Sequence, residues 1–198
     1  TQDFMPVMVV GSVPLVVVVN PAVPAKTLQE LVAYGKANPD KLNYASSGAG
    51  APQRMAAEIL RKEAGVKMTH VPYKGSGPAM TDLVGGQVNM MVETVPAALQ
   101  FIKSGKLRAL AVTTPQRISM LPDVPTSAEA GLPTVEVSST FGVLAPVATP
   151  KDILERLNAV ERLLEKWPSW IGRFVFVQVA APTRGALDEY RSFQERIE

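Results

Sequence analysis

The stretch LNYASSGAGAP, at residues 42–52, contains the three parts of a strand–loop–helix unit. Residues 42–45 have the apolar and aromatic character of a short buried strand, and the small residues after them favour a tight loop. Pro52 stands where a helix begins, because proline lacks an N–H group that the first helical turn would leave unpaired. The stretch therefore predicts a strand that leads, through a loop, to a helix N-terminus.

Two further copies of this unit follow, so the pattern is typical of an α/β protein. Together with one later strand, the copies predict strands at residues 42–45, 66–71, 88–92 and 107–112. Crossover helices force neighbouring strands to be parallel, and open α/β sheets bind ligands at the carboxyl ends of their strands. We therefore expect a mainly parallel, four-stranded lobe with one binding edge, formed by residues 46–50, 73–77 and 93–96.

The segments on either side of these units predict a second lobe. Two strands are predicted before the units, at residues 5–10 and 15–19, and T-x-x-E capping boxes are predicted at Thr27 and at Thr126. The C-terminal part predicts a strand at 135–145, a helix from Pro150, a strand at 175–180 and a helix at 187–197. The predicted division is residues 1–20 for first-lobe and crossover strands, 21–120 for the second lobe, and 121–198 for the return crossover and the C-terminal part of the first lobe.

Composition excludes several classes of function. Lys and Arg total 20 against 18 acidic residues, and this small excess gives no basic patch for nucleic acid. The apolar stretch at residues 14–19 is far shorter than the ~20 residues of a membrane-spanning helix. There is no cysteine, which excludes disulfides, thiolate nucleophiles and Cys-zinc sites.

The sequence contains few groups suited to catalysis or cofactor binding. His70 is the one histidine, and a metal site would need further donors clustered with it. The G-x-S-x-G elbow of α/β hydrolases, the phosphate-binding loop and a complete dinucleotide fingerprint are all absent. We therefore expect no catalytic residue, no metal and no cofactor, although residue counts alone leave open a Ser-His-Asp triad that uses His70.

The loop at residues 46–50 is the most informative one, and it has two interpretations. N–H groups at a helix start attract anions, and small residues let a ligand approach closely. An ordinary turn between a strand and a helix has the same composition. Lys74 is either a ligand contact or a solvated side chain. Glu93 is either an acceptor for a ligand N–H, hydroxyl or water, or the negative charge of a helix start.

Seven short motifs, in order along the chain, together resemble one protein family. They are LNYASSG (42–48), HVPYKGS (70–76), DLVGGQV (82–88), GKLRALAVT (105–113), LPDVPT (121–126), EAGLP (129–133) and FGVLAP (141–146). In this order they are similar to the receptors of tripartite tricarboxylate transporters, which are Bug-type periplasmic binding proteins. The resemblance covers the chain from about residue 3 to residue 164.

The resemblance implies a type II periplasmic-binding-protein (Venus-flytrap) fold, in which crossing strands join two lobes around a carboxylated solute. The family usually has Asp where Glu93 stands, and often a large residue near Thr140, so the cleft of this chain is expected to differ in size. The matching motifs imply ligand contacts at Ser46, Ser47, Gly48, Gly50, Tyr73, Lys74, Gly75, Ser76 and Glu93.

One family feature has no match in the chain. The proline-glycine loop that opens the family's first lobe and clasps one carboxylate is absent. We therefore expect a first lobe that is incomplete at its N-terminus. The missing part would come from a further segment, from another chain or from self-association.

The resulting hypothesis is a bacterial periplasmic receptor that is not an enzyme. It would capture a small mono-, di- or tricarboxylate, or a related amino acid, and deliver it to the membrane permease of a tripartite transporter. One alternative is a ligand-sensing partner of a membrane signalling protein, since some relatives are linked to sensing. The other is an α/β hydrolase, which the absent elbow and the lone histidine disfavour.

Overall fold

The computed structural model describes residues 3–155, together with Ala159 and Lys166. The chain forms two compact units, residues 1–146 and 147–198. In the second unit residues 151–155 are helical, where the sequence predicts a helix from Pro150. The rest of that helix, the strand predicted at 175–180 and the helix predicted at 187–197 lie outside the described residues. The division into lobes at residues 20/21 and 120/121 stays a prediction.

The described part of the first unit alternates between strands and helices, as the repeated sequence units predict. The elements are β1 (Phe4–Val19), α1 (Leu28–Ala37), β2 (Asn43–Ser46), α2 (Pro52–Ala64), β3 (Thr69–Pro72), α3 (Ser76–Val84), β4 (Met90–Thr94), α4 (Val95–Lys103), β5 (Arg108–Val112) and β6 (Ser138–Pro146). Each of the four strands predicted between residues 42 and 112 is present, with boundaries shifted by one to three residues at most positions.

The predicted capping box at Thr126 forms in full, and the one at Thr27 forms in part, because the carboxylate of Glu30 accepts from the N–H of Lys26 and not from that of Thr27. At the start of α1 the N–H of Glu30 donates to Oγ1 of Thr27 over 3.1 Å. The N–H of Glu129 donates to Oγ1 of Thr126 over 3.0 Å, and the N–H of Thr126 donates back to Oε2 of Glu129 over 2.8 Å. These side chains satisfy backbone N–H groups that a helix or turn start leaves unpaired.

The strands form one sheet in the order β3-β2-β4-β1-β5, and β6 pairs with β1 off this path. β2 is parallel to both β3 and β4, as the crossover helices require. The four predicted strands are not contiguous in the sheet, because β1 lies between β4 and β5 and is antiparallel to both. The physical reason is the apolar segment Leu15–Val19, whose residues are all fully buried and need a neighbour on either side.

The two strands predicted before residue 20 are a single strand of 16 residues, β1. Gly11 and Pro14 lie between the predicted strands and locally disfavour extended pairing. In the structure β6 pairs antiparallel with β1 from Phe4 to Pro14 and keeps this segment extended, with two shifts of register along the way. At Pro14 only β6 is paired with β1, so the missing N–H of proline costs no ladder bond on the other side.

Helices cover both faces of the sheet. Leu28 of α1 and Leu60 of α2 belong to the apolar cluster on one face, and Leu83 of α3 and Ala98 of α4 belong to the cluster on the other. Strands that are buried on both faces have continuous apolar sequences. This arrangement explains why Leu15–Val19 shows no alternation of polar and apolar residues.

We define the ribbon as β6 and residues 4–14 of β1. Its surface carries more large exposed apolar side chains than the other described residues together. Five of the eight large apolar side chains that are exposed in the described residues lie on it. They are Phe4, Val9, Val10, Phe141 and Leu144, each between 49% and 66% exposed. Contiguous exposed apolar side chains are typical of surfaces that contact another body.

We expect Gly35→Ala to destabilise the protein. A Cβ atom at Gly35, in α1, would clash with Cγ1 of Val66 and lie 2.8 Å from Cδ1 of Leu42. Alanine gains about 1 kcal/mol of helix propensity over glycine, but overpacking a core costs about 1–3 kcal/mol. The free energy of unfolding, measured by urea denaturation, should fall. Gly77→Ala in α3, where a Cβ meets nothing within 4 Å, is the control and should not lower it.

Candidate functional site

The carboxyl ends of β2 and β3 meet at one edge of the sheet and are joined by hydrogen bonds. Ser46 and Pro72, the last residues of these strands, are register partners. The N–H of Tyr73 donates to the carbonyl of Ser46 over 2.9 Å, and the N–H of Gly75 donates to the carbonyl of Ser47 over 3.2 Å. The structure thus brings together the two predicted loops at residues 46–50 and 73–77.

The third predicted segment, at the end of β4, reaches the same edge. β4 is parallel to β2 on the side opposite to β3. Nε2 of Gln53, in the first turn of α2, donates to Oε1 of Glu93 over 3.2 Å. Glu93 is therefore linked to the helix that follows the loop at residues 46–50. Sequence patterns did not single out Gln53, because its contact joins two elements that are 40 residues apart.

Three helices begin at this edge without side-chain caps. The N-cap residues of α2, α3 and α4 make no side-chain capping hydrogen bond, and none of these helices has an acidic residue in its first turn. Helix α1, in contrast, has both a capping side chain, from Thr27, and an acidic residue, Glu30, in its first turn. Uncapped N-termini present N–H donors and partial positive charge, so this edge favours anions.

Two glycines of the edge have backbone conformations that other residues rarely adopt. Gly48 has a φ of 151° and Gly75 has a φ of 109°. A Cβ atom at either position would meet nothing within 4 Å. Glycine is therefore needed here for the path of the backbone and leaves the space above it open.

The side chain of Ser46 is directed into the protein. Ser46 is fully buried, and its Oγ lies 2.7 Å from Nε2 of His70. This pair has the hydrogen-bond geometry of a nucleophile and a base. However, the enclosed Oγ has no access to a substrate, and in the described part of the chain no carboxylate is hydrogen-bonded to His70. The pair is therefore part of the packing beneath the edge.

His70 belongs to a small polar network behind the edge. Its ring stacks on that of Tyr44 with the centroids 4.9 Å apart, and the hydroxyl of Tyr44 donates to Oε1 of Glu58. Burial, followed by this hydrogen bond, raises the pKa of Tyr44 to about 12. The hydrogen bond from Tyr44 lowers the pKa of Glu58. Burial, followed by the positive charge of Arg54, lowers the pKa of His70.

The remaining predicted contacts lie on the second loop and at the open side of the first. The hydroxyl of Tyr73 donates to Oδ2 of Asp82 over 2.7 Å, and this bond raises the pKa of Tyr73. Lys74 and Gly50 are exposed, and Ser76 is the first residue of α3. The phenol of Tyr73 is thus held by α3, whereas Lys74 extends into solvent.

Glu93 is a buried carboxylate with hydrogen bonds on one oxygen only. It is 1% exposed, and Oε1 accepts both from Gln53 and, over 2.7 Å, from the N–H of Thr94. Among the buried side-chain nitrogen and oxygen atoms of the described residues, Oε2 of Glu93 is the one without a hydrogen-bond partner. A buried acceptor without a donor is costly, so this oxygen is a candidate for a ligand contact.

A pocket of about 370 Å³ lies at the carboxyl end of β5, where β1 and β6 leave the sheet. Its lining includes Ser12, Thr113, Thr114, Glu136 and Ser138. Sequence reasoning missed it, although Thr113 and Thr114 follow a predicted strand as the loops of the other units do.

Within residues 3–155 no three His, Asp or Glu side chains are placed to hold a metal ion. No helix in the described part of the chain is long and apolar enough to cross a membrane.

Comparison with known proteins gives a consistent result. The model of a protein family described as "Tripartite tricarboxylate transporter family receptor" matches residues 1–179. Among the curated relatives, one from Pseudomonas is 43% identical over 159 residues, 80% of this chain, and one from Bordetella pertussis, called protein BugT, is 41% identical over 157 residues, 79% of this chain. The chain spans about half the length of these relatives, 47% and 48%.

Two solved structures with bound acids resemble this one. Rpa4515 of R. palustris with adipate is 38% identical, with a TM-score of 0.74 over 80% of this chain and 53% of that one. MatC from Rhodopseudomonas palustris with bound malate is 34% identical, with a TM-score of 0.75 over 84% of this chain and 57% of that one. The chain therefore has the α/β fold of periplasmic solute-binding proteins.

We expect the stability of the protein to fall on acidification through the pKa of histidine. Because burial lowers the pKa of His70, the unfolded chain binds this proton more readily than the folded one, so folding is favoured above the unfolded pKa of about 6.5. The free energy of unfolding should decrease as the pH falls from about 7.5 to about 5.5. His70→Gln, which keeps a hydrogen-bonding group beside Ser46, should flatten this slope. An equal slope in both proteins would contradict the assignment, because the chain has one histidine.

Proposed function

Because this chain belongs to the family of tripartite tricarboxylate transporter receptors, we propose that it is a bacterial periplasmic protein that captures a small carboxylate. The family consists of solute receptors and is not a class of enzymes. We also propose that the protein does not catalyse a reaction on the bound acid. This is supported by Ser46, whose Oγ is enclosed beside His70 and is not accessible to a substrate.

One observation supports the binding of an anion above the others. Helices α2 and α3 both begin at one edge of the sheet and lack a capping side chain and an acidic first turn, whereas at the start of α4 the carboxylate of Glu93 already accepts from the N–H of Thr94. The capping of α1 shows that the chain can supply such groups where they are needed. A carboxylate at the edge would accept from the unpaired N–H groups and interact favourably with the helix dipoles.

The proposed contacts are mainly backbone groups. Ser46 and Tyr73 would contribute by positioning the loops, since their side chains bond to His70 and Asp82. Lys74, which is exposed beside the edge, would add a positive charge to the approach of an anion. Glu93 would accept a donor of the ligand. Direct contacts with the acid are proposed for Ser47, Gly48, Gly50, Gly75 and Ser76.

Capture is proposed to occur by closure of two lobes around the acid. In this proposal the second lobe comprises residues 21–120, and residues 1–20 and 121–198 contribute to the crossing strands and the first lobe. β1 and β6 are the paired strands that would join the lobes. Related receptors have been solved with adipate and with malate, so the proposed ligands are small carboxylates of this kind. Delivery to a membrane permease of the transporter would follow.

Gly48→Ala should weaken carboxylate binding by about tenfold or more. The φ of 151° at Gly48 is unfavourable for alanine, so the loop would lose the path that presents its N–H groups. A charge-assisted hydrogen bond contributes about 1.5–3 kcal/mol, and 1.4 kcal/mol is tenfold in affinity. Calorimetric titration with succinate, malate and adipate gives the measurement.

Gly105→Ala is the matched control for that variant. Gly105 also has a positive φ, 70°, with nothing within 4 Å of a would-be Cβ, but it follows α4 at the opposite end of the helix. It should lose stability without a change in affinity at a temperature where it is folded. If Gly48→Ala binds the acids as the unmodified chain does, the loop is not part of the site.

A further inference from the structure

The carboxylate of Glu93 lies between the starts of two helices. Its Oε1 accepts from the N–H of Thr94, the N-cap residue of α4, and from the side chain of Gln53, the second residue of α2. Both donors bind the same oxygen. The other oxygen, Oε2, is enclosed and has no donor among the described residues.

The two oxygens of Glu93 differ in their hydrogen bonds, and the packing of α2 and α4 does not require this difference. A structural role at the start of α4 is already fulfilled by Oε1, which a glutamine oxygen would fulfil equally well. The second oxygen adds a negative charge and an unmet acceptor at a site that is 1% exposed. Such a group is destabilising unless another molecule supplies the donor.

The charge of Glu93 also divides the edge into two parts. At the starts of α2 and α3 no acidic residue occupies the first turn, so a carboxylate of the ligand is favoured there. Next to Glu93 a second carboxylate would be repelled, because like charges in a poorly solvated site are unfavourable. A hydroxyl or ammonium group, in contrast, would donate to Oε2.

We propose that Glu93 makes the site selective for carboxylates that also carry a hydrogen-bond donor, such as a hydroxyl or ammonium group, over the same carbon skeleton without one. The inference rests on the proposed function, since it concerns the ligand of the same edge. Hydroxy acids and amino acids are the substrate classes that it names.

Gln53 is the more distant of the two donors that bind the carboxylate of Glu93. Oε2 is enclosed in this structure, so a ligand donor reaches it only when a neighbouring side chain moves. Gln53 makes one hydrogen bond to the carboxylate, over 3.2 Å, and this distance is longer than the 2.7 Å of the hydrogen bond from the N–H of Thr94. Loss of the hydrogen bond from Gln53 would leave the hydrogen bond from Thr94 at the start of α4 intact.

The test compares acids that share one carbon skeleton. Succinate, malate and aspartate differ only in the group at one carbon, which is hydrogen, hydroxyl or ammonium, and glutarate with 2-hydroxyglutarate forms a second matched pair. The affinity of the unmodified chain for each acid is measured by calorimetry. We expect donor-bearing acids to bind about tenfold or more tightly than their matched partners, as expected for a charge-assisted hydrogen bond.

Glu93→Gln should remove this preference. Glutamine keeps an oxygen for Thr94 and Gln53 but replaces Oε2 by a donor, so the ratio of affinities within each pair should fall to about one. The midpoint of thermal unfolding should not fall, because an unpaired buried charge is removed. Glu63→Gln, the same substitution at an exposed position of α2, is the control and should keep the preference.

The outcomes separate this inference from the proposed function. An unmodified chain that binds the acids without preference, or a Glu93→Gln variant that keeps the preference, overturns the inference and leaves the proposed function intact. A Glu93→Gln variant that weakens all acids equally and unfolds at a lower temperature shows a structural role instead. If the protein binds none of the acids when the missing part of the first lobe is supplied, the proposed function is itself wrong.

Discussion

The burial of Leu15–Val19 between two antiparallel neighbours is the constraint on which the rest of the first unit depends. All five side chains are inaccessible to solvent, and helices cover the sheet above and below them. β4 and β5 are placed by their pairing with this segment, and β2 and β3 follow from β4. The edge at which the three loops meet is therefore positioned by the most apolar stretch of the chain, which contains no functional group of its own.

The candidate site is built mainly from backbone groups. Ser46 and Tyr73, which have the most obvious hydroxyl groups of the two loops, direct them to His70 and Asp82. The loops are fixed by these internal bonds, and what they leave for a ligand is N–H groups, open space above glycines and the charge of helix starts. Such a site binds the carboxylate group and makes few contacts with the rest of the ligand. Discrimination between different carboxylic acids therefore depends on the few side chains nearby, of which Glu93 is the buried one.

Local patterns predicted much of this architecture, and contacts between distant segments explain what they missed. The strands and helices between residues 42 and 103 follow from proline-started units whose signals lie within a few residues of each other. The unbroken β1 does not, because Gly11 and Pro14 oppose a strand locally and only pairing with β6, over 120 residues later, overrides them. The same holds for the site, where the loops were predictable but the contact between Gln53 and Glu93 depends on how α2 is placed over β4.

The ribbon also affects how the protein behaves when concentrated. In the described part of the chain its two strands pair only with each other beyond the sheet, so each offers an outer row of backbone donors and acceptors. Neither Phe4–Val19 nor Ser138–Pro146 contains a lysine, arginine, aspartate or glutamate that would act as a gatekeeper against aggregation. Pro6, Pro14 and the two register shifts interrupt the ladder instead. Within residues 4–14 and 138–146, the features that oppose strand addition are therefore backbone irregularities and not charges.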